Sequence, residues 1–183
     1  RQRQMCIRDS IKAITSGKKV VAMVAPAIEG SFGADITMDS IRTACKKVGF
    51  SDMVEVALGG DMTAGAEAKE WLEANKEGKK MTTSCCPAFV NMIKQHFPQL
   101  LDNMSTTVSP MCAVSRMLKR ENPETVTVFI GPCIAKKSET LDLNIKDNAD
   151  YAMTFGEIRA MMRAKGVELE PEENTYQDSS VFG

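Results

Sequence analysis

The chain has 183 residues, enough for one full domain or a large piece of one with a real core, and it does not suggest a multidomain machine. Lys and Arg (23) nearly cancel Asp and Glu (24), which argues against a nucleic-acid binder working through a general basic field. Hydrophobic residues at 43% and charged residues at 26% exclude a disordered, collagen-like or coiled-coil chain.

Residues 1–10, Arg1 to Ser10, are charged with no apolar stretch behind them, so they do not read as a secretory signal, and the expected compartment is the cytoplasm. This decapeptide resembles the read-through of a sequencing adaptor and is set aside as a non-native or disordered segment, leaving 11–183 as the folded unit. After Gly17, short apolar runs alternate with helical patterns, the rhythm of successive βα units and hence of an α/β fold with a parallel sheet flanked by helices. Val20 to Ala25, stopped by Pro26, reads as a strand buried on both faces. Val20 to Ile28 is the longest apolar run, short of the roughly 18–20 residues of a bilayer span, so no membrane insertion is expected.

Ile36, Ile41, Ala44, Cys45 and Val48 form a helical stripe that Gly49 is placed to end. Val54 to Leu58 is the next expected strand, and Asp61 to Glu77, rich in Ala, Glu, Lys and Leu, a helix closed by Gly78. Met81 to Ser84 leaves room for a short strand only. Pro87 then opens a helix to about Phe97, and Ser109-Pro110 opens another that ends before Pro123. Val126 to Ile130 reads as a strand, and Thr154 to Glu157 as a capping box for a helix ending at Gly166. Glu168 to Asp178 is acidic and aperiodic.

Six cysteines, at 6, 45, 85, 86, 112 and 133, point to metal or redox chemistry rather than to disulfides in a chain of this kind. In an open parallel sheet, ligands gather beyond the carboxyl ends of strands, and Cys85, Cys86 and Cys133 follow expected strands. Adjacent cysteines cannot easily chelate one ion, and no Cys-x-x-Cys is present, so a zinc ribbon is not expected. One cysteine can be a ligand while its neighbour acts as a proton donor; equally, the two can be a buried structural pair. Cys45 and Cys112 read as helix-packing residues, and His96 as a surface residue near a helix end.

Thr83-Ser84-Cys85-Cys86-Pro87-Ala88-Phe89 and Gly131-Pro132-Cys133-Ile134-Ala135-Lys136-Lys137-Ser138-Glu139 resemble two signature loops of the FeFe hydrogenase catalytic domain. The stretches Met104 to Pro110 and Ala25-Pro26-Ala27 are similar to the same family, so the resemblance runs over nearly all of 18–183. It implies a partial two-lobed fold and an H-cluster: a 4Fe-4S cluster joined to a di-iron unit with carbonyl, cyanide and a bridging dithiolate amine. By the resemblance, Cys86 and Cys133 are cluster ligands, and Cys85 is the thiol that exchanges protons with the bridging amine. Lys136 would hydrogen-bond a cyanide, and Ala25 and Pro26 would line the pocket.

The same resemblance assigns proton supply to Glu67, Glu70 and Ser105, in the order Glu67, Ser105, Glu70, Cys85. The i,i+3 spacing of the glutamates puts them on one helix face, and burial-raised pKa values would suit them to proton exchange near neutrality. The implied partners are protons and hydrogen, an electron donor such as ferredoxin or a fused iron–sulfur domain, and the hydrogenase maturation proteins. The family's last motif, Cys-x-x-x-Cys, is not in this sequence, so 11–183 reads as the N-terminal portion of the domain, inactive as a fragment. Gly131 in place of a Met, Met111-Cys112 in place of a Gln-rich stretch, and Phe89 in place of a Trp depart from the pattern. They keep a hydrogen-sensing regulator as the alternative, and an iron–sulfur assembly or prelamin-binding scaffold as a rival from another class.

Overall fold

The computed structural model describes residues 2–173 and 175; residue 1 of the set-aside segment and 174 and 176–183, with the end of the acidic stretch, lie outside the described residues. Along the chain run α1 (Gln2–Thr15), β1 (Val20–Val24), a 3-10 turn (Pro26–Ile28), α2 (Met38–Val48), β2 (Asp52–Glu55) and α3 (Ala57–Lys76). There follow α4 (Pro87–His96), a second 3-10 turn (Pro98–Asn103), α5 (Pro110–Glu121), β3 (Val126–Ile130), α6 (Lys136–Glu139), β4 (Tyr151–Met153) and α7 (Phe155–Ala164). The strands form one parallel sheet in the order β2-β1-β3-β4, with Val24 in register with both Glu55 and Ile130, and Ile130 with Met153.

All five residues of β1 are buried, as an all-apolar central strand demands. Val20, Ala22 and Val24 pack on one face with Ile41, Ala44, Cys45 and Val48 of α2 and Ile158, Met161 and Met162 of α7. Val21 and Met23 pack on the other with Met111, Val114 and Leu118 of α5. The sheet is thus sandwiched, as the alternation of runs and helical patterns predicts. The caps at Ser109 and Thr154 form as expected: each hydroxyl accepts a backbone N–H, from Cys112 and Glu157, and the Glu157 carboxylate returns the bond to Thr154 N–H.

Several elements differ from expectation. The strand expected over Val54–Leu58 begins at Asp52 and gives way to α3 at Ala57, four residues before the expected helix start. Helix α3 therefore contains Gly59, where a Cβ would sit 2.3 Å from the Pro110 carbonyl oxygen, so glycine is what lets α3 approach the start of α5. The Met81–Ser84 strand is reduced to a single bridge between Thr82 and Met104 and joins no sheet. Strand β4 was not read, because three residues carry too little periodicity. Helix α1 includes most of the segment set aside and packs on β4, with Ile7 partly buried against the core.

Candidate active site

The carboxyl ends of β1 and β3 lie side by side, and the loops leaving them build one wall of the site. Ala25 N–H donates to the Ile130 carbonyl at 2.9 Å, and Gly131 N–H to that of Met153 at 3.0 Å. Ala25 is buried and Pro26 exposed. Cys133 is half-buried. Three residues on, Lys136 opens α6 at 8% exposure, its ammonium 2.8 Å from Glu139 Oε2 and 6.0 Å from the Phe129 ring centroid. A lysine this buried needs a paired charge, and Glu139, itself nearly covered, supplies it. Lys137 points the other way, to the Glu157 carboxylate at 2.5 and 2.7 Å, which ties α6 to the start of α7.

The paired cysteines sit where α4 begins. Cys86 is the residue before the helix and is exposed, while Cys85 is half-buried and donates its N–H to Thr83 Oγ1 at 3.3 Å. Since Met81–Ser84 is no sheet strand, these cysteines are not held by a strand end as expected. Their loop is instead stitched to the 103–107 segment. Thr82 N–H donates to the Asn103 carbonyl at 2.7 Å, Ser105 N–H to that of Thr82 at 2.8 Å, and the Ser84 hydroxyl to that of Thr107 at 2.5 Å.

Glu67 and Glu70 share one face of α3 and fasten these two segments separately. Glu67 accepts from the Thr83 hydroxyl at 2.8 and 2.9 Å and from Ser84 N–H at 3.0 Å, directly before Cys85. Glu70 accepts from the buried Ser105 hydroxyl at 2.6 Å, from Thr106 N–H at 3.0 Å and from the Thr106 hydroxyl. One expectation is corrected here. Burial does oppose ionisation of Glu70, but these hydrogen bonds outweigh it and hold the carboxyl below the ordinary glutamate range, not above it. Glu67, read as the outermost acid, abuts the cysteine loop, and Glu70 faces a cavity.

That cavity, about 380 Å³ between α3 and α5, is lined by Glu70, Thr63, Thr106, Arg116 and Arg120 among others. A second, of about 300 Å³, has Ser84 and Pro87 on one side and Ser138 and Glu139 on the other, so residues flanking both cysteine loops share one space. Cys45 and Cys112 are fully buried, and burial raises both thiols, that of Cys45 to about 12. They are core residues, as read. His96 ends α4 against the edge of Phe97.

Sequence reasoning missed Thr83 and Thr106, which hold the two glutamates, and Glu139, which neutralises Lys136. The signal for Glu139 was its i+3 spacing from a lysine that the resemblance turns inward. Among the described residues no three His, Cys, Asp or Glu side chains are grouped to hold a metal ion. The thiols of Cys86 and Cys133 are of the kind that holds iron–sulfur clusters, and they stand in loops whose neighbours Ser84, Pro87, Ser138 and Glu139 line one cavity, with one buried cation, Lys136, nearby in the chain.

The description "Iron only hydrogenase large subunit, C-terminal domain" belongs to a family whose profile matches residues 18–182. Iron hydrogenase 1 of Clostridium pasteurianum is 27% identical over 90% of this chain and 32% of its own length. The periplasmic [Fe] hydrogenase large subunit of Nitratidesulfovibrio vulgaris is 29% identical over 92% of this chain and 46% of its own. A cytosolic Fe-S cluster assembly factor of Candida dubliniensis is 28% identical over 59% of this chain. In fold, an apo [FeFe]-hydrogenase variant from Chlamydomonas reinhardtii superposes with a TM-score of 0.81 at 23% identity, over 100% of this chain and 52% of the other. The chain therefore spans about a third to about half of these hydrogenases, and 20% of the Candida factor. It belongs to the family of the iron-only hydrogenase large subunit, C-terminal domain.

Proposed function

We propose that this chain is the part of an FeFe hydrogenase catalytic domain that feeds protons to the H-cluster and supplies two of its thiolates, in the reversible reduction of protons to hydrogen. The observation that carries the reading is the placement of Glu67 and Glu70: one helix face of α3 holds, through two carboxylates, both the residues before Cys85 and the Ser105 loop. Two acids on one helix face, one bonded to the buried Ser105 hydroxyl and the other to the residues directly before Cys85, suit a proton path.

In this account Glu70 meets protons at the α3–α5 cavity, which Arg116 and Arg120 also line, and the hydrogen bonds from Ser105 and Thr106 favour its ionised form. Ser105, bonded to Glu70 and itself accepting Thr107 N–H at 3.0 Å, passes the proton inward. Glu67, one helical turn back along α3, receives it beside Thr83 and Ser84 and delivers it to the Cys85 thiol. Cys86 and Cys133 would hold the 4Fe-4S cluster together with thiolates from the rest of the protein. The buried Lys136 offers a donor to an anionic cyanide, and Ala25 and Pro26 border the same wall. When bound, the H-cluster supplies the redox chemistry and the hydrogen-forming step. Electrons would come from a ferredoxin or a fused iron–sulfur domain, and assembly would need the maturation proteins.

No helix among the described residues is long and apolar enough to cross a membrane. We place the reaction in the cytoplasm on the cysteine usage, although one relative is named periplasmic; cell fractionation decides between them.

The scaffold reading draws on the similarity to the Candida assembly factor, and Cys85-Cys86 speaks against it because a scaffold has no need of a second, proton-exchanging thiol. Infrared spectroscopy of the full-length protein, made with hydrogenase maturation proteins, separates the two. Carbonyl and cyanide bands are expected; a protein that takes up iron–sulfur clusters without these bands is the scaffold.

A further inference from the structure

Gly131 lies in the wall between β3 and Cys133, where a Cβ would sit 2.5 Å from two carbons of the Phe129 ring and 3.3 Å from the Ala25 Cβ. The first distance is a clash no real side chain tolerates, so in this backbone any larger residue at 131 requires Phe129 to move. The two positions are two apart on one strand run and point to the same face. Phe129 is 4% exposed and sits in the core cluster with Met23, Ala25 and Met111, yet its far edge reaches the Gly131 backbone, and the Lys136 ammonium lies 6.0 Å from its centroid. The ring thus stands among Ala25, Gly131 and Lys136, where a side chain from 131 would otherwise begin.

We propose that Phe129 is a shape-determining residue buried in this wall and that Phe129 and Gly131 form a reciprocal size pair: the ring fills the room that the glycine vacates. The wall beside Lys136 is then an aromatic ring fixed by the sheet, not a flexible side chain on the Cys133 loop. A ring held by β3 keeps one position, because its backbone is locked between β1 and β4 and its other face is packed in the core. An aromatic ring near a buried ammonium also favours the cation where it is, adding to the Glu139 pair. The wall's part in hydrogen chemistry rests on the function proposed above, but the size pair stands on packing alone.

The test is a double-mutant cycle on the full chain without metal: Gly131→Ala, Phe129→Leu and the double variant, followed by thermal unfolding. Overpacking by Gly131→Ala is expected to lower Tm by about 3–10 °C, and the same change in the Phe129→Leu background to cost less than half as much. Should Gly131→Ala alone not yield folded protein, recovery of a folded double variant carries the same information. A second readout follows from the ring itself. In wild type the Gly131 α-proton facing Phe129 has an NMR shift displaced by the ring current, and Phe129→Leu returns it to an ordinary glycine value. Equal Tm losses in both backgrounds, or a Gly131 α-proton shift unmoved by Phe129→Leu, overturn the proposal. Because no metal enters the cycle, its failure counts against the size pair alone, whereas missing carbonyl and cyanide bands count against the hydrogenase reading alone.

Discussion

The Ser105 hydroxyl donates to the Glu70 carboxylate at 2.6 Å, joining α3 to a loop 35 residues further along the chain. Thr106 adds its own hydroxyl and N–H to the same carboxylate, so the contact stabilises only the ionised acid. With the folded pKa below the unfolded one, this contribution is complete above the unfolded value and is lost as pH falls through the folded value. Glu70→Gln is therefore expected to lower Tm near neutrality, with the gap to wild type closing as pH drops below the ordinary glutamate range. Unfolding curves across that range check it. A gap that stays constant with pH means that the Glu70 charge is not what the loop reads.

Lys136 and Glu139 form an ion pair with both side chains nearly covered, so removing one partner leaves the other buried and unpaired. Lys136→Met is expected to cost about 2–4 kcal/mol, and Lys136→Met/Glu139→Gln to recover at least half of that. Denaturant unfolding of the two variants measures it. No recovery in the double variant would show that Lys136 is held by its stem's packing, not by the charge.

The thiols divide by environment. Cys45 and Cys112 are fully buried and raised by burial, that of Cys45 to about 12, so neither is expected to react with iodoacetamide in the folded protein at neutral pH. Cys86 is exposed, and Cys6, Cys85 and Cys133 are half-buried, so these four are expected to label first. Peptide mass mapping after a short pulse reads the order, and early labelling of Cys45 contradicts the assignment of α2 to the core.

Much of this architecture is legible from residues alone because its signals are local and redundant. Val20 to Val24 is apolar throughout, and the Ser109 and Thr154 caps announce their helices by a single hydroxyl in place. The site is legible only in part. Cys85, Cys86, Cys133 and Lys136 were named through resemblance, and the burial of Lys136 agrees with the inward direction it implies. What pairs with them was hidden, since the bonds Thr83 to Glu67 and Ser105 to Glu70 close over 16 and 35 residues and leave no periodic trace. For the same reason spacing puts two glutamates on one face without saying which of them meets the cysteine loop and which the cavity. The start of α3 at Ala57 is not legible either, because Gly59 and Gly60 have poor helix propensity, and the close packing of Gly59 on Pro110 overrides it.

Hydrogen evolution from a chemically reduced electron donor, measured for the full-length matured protein beside its Cys85→Ala variant, tests the central claim most directly. The account expects hydrogen from the wild type and a loss of at least about 100-fold in the variant, whose cluster bands remain in the infrared. A matured protein that carries those bands yet makes no hydrogen, or a Cys85→Ala variant as fast as wild type, would contradict it.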